Sequence, residues 1–309
     1  MSSSQTDSRQ RDRLKRLATY ASISAAVFLA LIKLVVSIYT GSLAILSSLV
    51  DSVSDIFASM ITFVAIHFSV RPASLQHRYG YGKAEAISSL LQSAFVAGSA
   101  LFVVYEGINR MINPYPITDI GWGLVVICIS IIVTFALVVF QQYVIKKTES
   151  LAVSADRLHY LIDLTTNSVI IVSLILVKFF DFYWFDTIAA LFVAGYLLYN
   201  AYEIAKQAIE MLMDKELSAE IRDEVCKIVK NCEGCHGIHD LRTHNLGGTY
   251  MFEFHLELDG NLSLYAAHDI TEDVEKKIKE KFPEAQVMIH QDPYGLSEDR
   301  LDNRLSKKT

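Results

Sequence analysis

Asp51 and Asp55 stand four residues apart inside a run apolar enough to cross a membrane, LAILSSLVDSVSDIFASMITFVAIHF over residues 43–68. Residues at this spacing share a helix face, so the two carboxylates point the same way. An ionised Asp in hydrocarbon costs about 2.5–3.5 kcal/mol on insertion scales, and two on one face also repel each other. A cation between them removes both penalties. A second pair, His159 and Asp163, has the same spacing in residues 151–180, and Asn167 continues its face. Three carboxylates and one imidazole suit tetrahedral Zn2+. They also accept Mn2+, Fe2+, Co2+ and Cd2+, whereas the imidazole argues against a Mg2+ site. Asp-x-x-x-Asp alone does not separate a metal site from polar contacts between packed helices. Two such pairs on two spanning helices favour a transport path, the usual role of ionisable groups at bilayer depth. The same groups bind protons, and ligation needs them deprotonated, so metal entry expels protons. Exchange of a cation for protons is the expected chemistry.

Long apolar runs must position those residues. The chain has 309 residues, of which 52% are hydrophobic and 20% charged, and its mean hydropathy is +0.31. Soluble domains carry about 25% charged residues, so this composition describes an integral membrane protein. Six spanning helices are predicted over residues 17–39, 43–69, 84–111, 120–145, 151–179 and 185–213, with turns at Thr40-Gly41-Ser42 and Asn113-Pro114-Tyr115-Pro116. Small residues in the third (Ala94, Ala97, Gly98, Ser99) would allow close helix packing. Basic residues crowd the first 16 positions, the loop with Arg71, Arg78 and Lys83, and the Lys146-Lys147 segment. The positive-inside rule then puts both termini in the cytoplasm. Residues 1–16 read as a basic, unstructured tail, with no secretory signal peptide, and nucleic-acid binding is not expected.

Residues 214–293 read as a small cytoplasmic α+β domain in the order αββαβ, and 294–309 as a disordered tail. This domain holds His236, His239, His244, His255, His268 and His290, six of the chain's nine histidines, with Asp292 just beyond. Histidines with a carboxylate point to a second metal site, against the plainer reading of surface or packed imidazoles. Cys232-Glu233-Gly234-Cys235-His236 has the haem-attachment spacing, but a cytoplasmic location argues against haem. A thiol metal or redox pair, or a plain turn with two free thiols, remains. Gly80-Tyr81-Gly82-Lys83 lacks the spacing and the Ser/Thr of a phosphate loop.

GSLAILSSLVDSVSD, GYGKAE, ADRLHYLID, HDLRTHNLG, FHLELDG and VMIHQDP together carry a resemblance to the cation diffusion facilitator family, close to its bacterial zinc and iron effluxers, over about Leu14 to Pro293. The resemblance implies a homodimer of six-helix chains in the inner (plasma) membrane, with metallochaperone-like cytoplasmic domains. It implies export of Zn2+, also Cd2+ and in some members Fe2+, in exchange for protons. Asp51, Asp55, His159 and Asp163 match the transport site. His239, His255, His268, His290 and Asp292 match a cytoplasmic binuclear zinc site at the dimer interface. Lys83 and Asp214 match a salt bridge near the membrane surface. A further loop site of one Asp and two His in close relatives corresponds here to Ser74, His77 and Tyr81, which leaves one ligand of three. Two other readings stand beside export: a membrane-anchored metal sensor, and a membrane metalloenzyme. The buried quartet argues against the first, and the poor match to H-E-x-x-H against the second.

Overall fold

The computed structural model describes residues 2–40, 43–112, 121–180, 185–297 and 299–306. The predicted turns at 41–42 and 113–116 lie outside them. The chain divides into two compact units, Asp7–Ile209 and Glu210–Thr309 with Met1–Thr6.

The larger unit is helical: α1 (Ser2–Thr40), α2 (Leu43–Ser69), α3 (Ala84–Ile112), α4 (Gly121–Thr148), α5 (Leu151–Phe180) and α6 (Phe185–Leu212). At 1.5 Å per residue even a 27-residue helix reaches about 40 Å, longer than a hydrocarbon core of roughly 30 Å. Among the described residues, Arg9–Tyr39, Ala84–Phe102 and Leu124–Thr148 are both long and apolar enough to cross a membrane. Arg71-Pro72 follows α2, and Pro disfavours helix in the residue before it. Glu149 turns the chain between α4 and α5 with φ 51°, and the Ser150 hydroxyl accepts from Val153 N at 3.3 Å to start α5.

Helix α5 sits among its neighbours. Ala155, Leu158 and Ile162 pack with Val96 and Ala100 of α3 and with Ala194, Leu197 and Ala201 of α6. Ala152 and Val153 pack with Ala18, Ile66 and Val144 of α1, α2 and α4. In α3 the contact is made by Val96, Ala100 and the half-buried Ala97, whereas Ala94, Gly98 and Ser99 are exposed in the single chain.

Helix α1 begins at Ser2, not near Leu17, which corrects the expectation of an unstructured tail. Nothing before Leu17 breaks a helix, and Lys15 is held in the fold. Its ammonium donates to Glu85 Oε1 at 2.7 Å, with both side chains buried. Ser69 (3.2 Å) and Ser150 (2.5 Å) also donate to the Glu85 carboxylate. One carboxylate thus ties α1, the end of α2, the start of α3 and the α4–α5 link.

The smaller unit contains α7 (Ala219–Lys230), β1 (Gly237–Asn245), β2 (Tyr250–Leu258), α8 (Leu264–Lys281), β3 (Gln286–Pro293) and α9 (Leu301–Ser306). The sheet order is β1-β2-β3, antiparallel for the first pair and parallel for the second. Phe252, Phe254, Leu256 and Leu258 of β2 are buried with Val225 and Val229 of α7 and Val274 and Ile278 of α8. Strand alternation leaves Glu253, His255 and Glu257 on the other face.

Strand β1 carries a bulge. His239 opposes His255 but Arg242 opposes Glu253, so one residue is extra, and Asp240 takes φ 53°. The Asp240 carboxylate accepts from Leu301 N (2.8 Å) and Asp302 N (2.9 Å), while Asp302 Oδ2 accepts from Asp240 N at 2.9 Å. These bonds satisfy orphan amides at the start of α9. They correct the expectation that 294–309 is disordered throughout. Glu85→Ala strands the buried Lys15 ammonium and is expected to cost about 3–5 kcal/mol, read as a lowered unfolding temperature of the detergent-solubilised protein. Asp240→Ala is expected to cost about 1–2 kcal/mol and to expose 299–306 to protease.

Candidate metal sites

In the helical unit, Asp55 of α2 meets His159 and Asp163 of α5. One ligand atom from each lies within 4.8 Å of the others, and His159 Nε2 is 3.1 Å from Asp55 Oδ1. Both side chains of that pair are nearly buried. The backbone of Asp51 lies one turn before Asp55 in α2, and its side chain is outside those described.

The rotation of α5 that aims these groups is fixed by its neighbour Tyr160. Its ring meets the His159 ring edge-on at 5.6 Å. Its hydroxyl donates to the Ser22 carbonyl at 3.1 Å and pairs with Ser59 Oγ at 2.6 Å. Three residues before His159, the fully buried Asp156 accepts from Ser22 Oγ (2.6 Å), Gln141 Nε2 (2.7 Å) and Thr62 Oγ1 (3.5 Å). Gln92 Nε2 donates to the Ala58 carbonyl at 3.0 Å and also to Thr62. Polar groups from α1, α2, α3 and α4 thereby converge on the turn of α5 that precedes the site. Sequence reading missed Asp156; its one signal was its place on the His159 face.

In the smaller unit the site is built on the sheet. His239, His255 and His290 occupy the same level of β1, β2 and β3, because His239 pairs with His255 and His255 with His290. Their ring centroids are 5.0 and 4.7 Å apart. Asp292 joins all three: Oδ2 is 2.6 Å from His255 Nδ1 and 3.5 Å from His239 Nε2, and Oδ1 is 3.3 Å from His290 Nε2. Glu257, also bound by Arg300, lies 3.4 Å from His239 Nδ1. A buried imidazole between two carboxylates is a donor set that fits a divalent ion, and its N/O composition suits zinc among others. His239, His255 and Asp292 would hold such an ion, which would neutralise the carboxylates and tie the three strands together.

The other predicted residues stand apart from these groups. His268 is exposed on α8, 3.9 Å from Asp269. His236 stacks on Tyr294 at 4.9 Å, and His244 lies 3.9 Å from Asp214. In the loop after α2, Ser74, His77 and Tyr81 do come together: Ser74 Oγ is 3.0 Å from the Tyr81 hydroxyl, and the His77 and Tyr81 rings are 4.4 Å apart. Hydroxyls occupy two of the three corners, and among the described residues His77 belongs to no group of three metal-ligating side chains in mutual reach. Lys83 precedes α3, and Asp214 follows α6 with φ 54°. Cys232 and Cys235 flank a turn between α7 and β1.

Residues 19–213 match the cation efflux transmembrane domain and 217–294 match the cytoplasmic domain of cation efflux proteins. The chain belongs to the cation efflux family, the cation diffusion facilitators. It is 41% identical to the cation-efflux pump FieF of Shewanella oneidensis over 288 residues, 93% of this chain and 97% of the relative. It is 42% identical to FieF of Citrobacter koseri over 284 residues, 91% and 94% of the two chains. Among solved structures, the metal-bound C-terminal domain of the Thermotoga maritima CzcD transporter aligns at 26% identity over 26% of this chain and 93% of that one, with a TM-score of 0.25. A zinc form of the putative zinc transporter CzrB aligns at 26% identity over 28% and 99%, with a TM-score of 0.26. As a cation diffusion facilitator the chain is a divalent-cation efflux transporter of the membrane, not an enzyme. Asp292→Ala is expected to lower the affinity of the smaller unit for a divalent metal ion about tenfold or more, read by calorimetry.

Proposed function

We propose that the protein exports Zn2+, with Cd2+ and Fe2+ as further cargo, from the cytoplasm across the inner membrane in exchange for protons. The observation that carries this reading is the meeting of Asp55, His159 and Asp163 between two long helices, with Asp51 one turn away on α2. Imidazole and carboxylates bind Zn2+ and Cd2+ well, and ligation requires deprotonated groups. A site that takes protons from outside and loses them to arriving cytoplasmic metal couples the two flows. Alternating access then needs α2 and α5 to present the quartet first to one side and then to the other.

The smaller unit binds zinc as a resident ion through His239, His255, His290 and Asp292. It faces the cytoplasm with both termini, as the distribution of basic residues supports. Two chains form a homodimer, with His268 contributing at the interface. The loss of two ligands around His77 leaves the α2–α3 loop without a working metal site.

Zn2+ uptake into inside-out proteoliposomes with an acidic interior tests this reading. Uptake should rise with the pH gradient and fall to background in Asp51→Ala and Asp163→Ala, while both variants remain folded and dimeric. Retained flux would overturn the site assignment. His159→Asp should shift preference from Zn2+ towards harder ions, and unchanged selectivity would show that the imidazole is not a ligand.

A further inference from the structure

The two thiols between α7 and β1 belong to neither metal group. Cys232 follows α7 and is buried, Cys235 is half-buried, and neither forms a disulfide. Cys235 N donates to the Cys232 carbonyl at 3.4 Å, closing a turn over Cys232-Glu233-Gly234-Cys235. Such a turn holds its first and fourth Cα atoms within about 7 Å, so both thiols serve one place. Gly234 has φ +83°, and a Cβ there would meet Ile270 Cδ1 of α8 at 2.8 Å. The turn therefore favours glycine for its left-handed backbone, with the movable Ile270 methyl packed against it.

The same stripe of α8 supplies the polar surroundings. Asp273 and Lys277, three and seven residues after Ile270, both reach the buried thiol. Cys232 Sγ donates to Asp273 Oδ2 at 3.3 Å, and Lys277 Nζ donates to Cys232 Sγ at 3.4 Å. Lys277 also pairs with Asp273 at 2.7 Å, and this ammonium holds the Asp273 carboxyl below its ordinary range. Burial and the neighbouring Cys232 sulfur push the Cys235 thiol up to about 12. The Cys235 thiol is thus protonated when nothing is bound, and an entering ion has to displace that proton.

We propose that Cys232 and Cys235 form a separate two-thiolate binding site for a thiophilic divalent ion such as Cd2+ or Zn2+. Charge balance favours a divalent ion. Asp273 and Lys277 neutralise each other at 2.7 Å, and a divalent cation neutralises the two thiolates. Donor type favours a soft one, because thiolate selects Zn2+ and Cd2+ over Mn2+ or Mg2+. The two His/Asp groups offer only nitrogen and oxygen, so this site holds the chain's distinct sulfur chemistry. The assignment does not depend on the transport reading, since it concerns a different unit and different atoms.

The full-length, reduced protein in detergent is titrated with Cd2+ while the ultraviolet thiolate-to-cadmium charge-transfer absorbance is followed. Nitrogen and oxygen ligands give no such band, so the two His/Asp groups are silent. The expected result is a band that saturates with one ion per chain and falls at least tenfold in Cys235→Ser, a conservative change at a half-buried position. A Cys128→Ser/Cys226→Ser double variant, with the pair intact, should keep it in full. Absence of the band, its survival in Cys235→Ser, or its loss in the double variant would overturn the proposal. So would a band that grows without saturation to large cadmium excess, which marks adventitious binding only.

Discussion

The 3.1 Å approach of His159 to Asp55 is the contact around which the helical unit is arranged. Both groups lie in helices long enough to cross a membrane, where a carboxylate without a partner is expensive. Every neighbouring feature serves to make that approach reproducible. The hydrogen bonds of Tyr160 to α1 and α2 stop α5 from rotating. Asp156, with donors from three other helices, does the same one turn earlier. Glu85 gathers the ends of the same helices around Lys15. The polar contacts within this unit are therefore directional locks, while the alanine-rich faces of α3, α5 and α6 set how closely the helices pack.

The smaller unit solves a similar problem by different means. Its histidines are separated by 16 and 35 positions in the chain, yet pairing of the strands sets them in a row across the sheet. Asp292 can then serve all three imidazoles because it lies two residues beyond His290 on the same face of β3. The hydrophobic face of β2 pays for the polar one: its buried Phe252, Phe254 and Leu256 anchor the sheet against α7 and α8. Metal-ligating groups can therefore crowd the opposite face.

What the sequence makes legible follows from periodicity. Four-residue spacing identified the faces of α2 and α5, and apolar length located the six long helices; the alternation in MFEFHLEL gave β2 its register of buried and polar residues. Partners that depend on tertiary approach were not legible. Glu85 lies 70 positions from Lys15, and Asp156 lies 134 from Ser22. Neither spacing follows from helix geometry. Charge density alone made residues 1–16 look like a solvated tail, but the chain there contains nothing that stops α1. Likewise α9 is too short to signal itself by pattern, and it is seated by a carboxylate some 60 positions upstream. His268 joins the cytoplasmic site only through the family resemblance, and within one chain a helix face places it in solvent.

The bulge at Asp240 carries a constraint of its own. Up to His239, β1 follows one alternation of faces; after the extra residue it follows the opposite one. The segment between His239 and Arg242 thus works as a parity switch: one extra residue keeps the two side chains on one face although they are three positions apart. Losing Asp240 would leave a regular strand with Arg242 still opposite Glu253, but would take away the carboxylate that accepts from Leu301 N and Asp302 N at the start of α9. The bulge therefore serves α9 and not the histidine row, which a regular strand would present equally well.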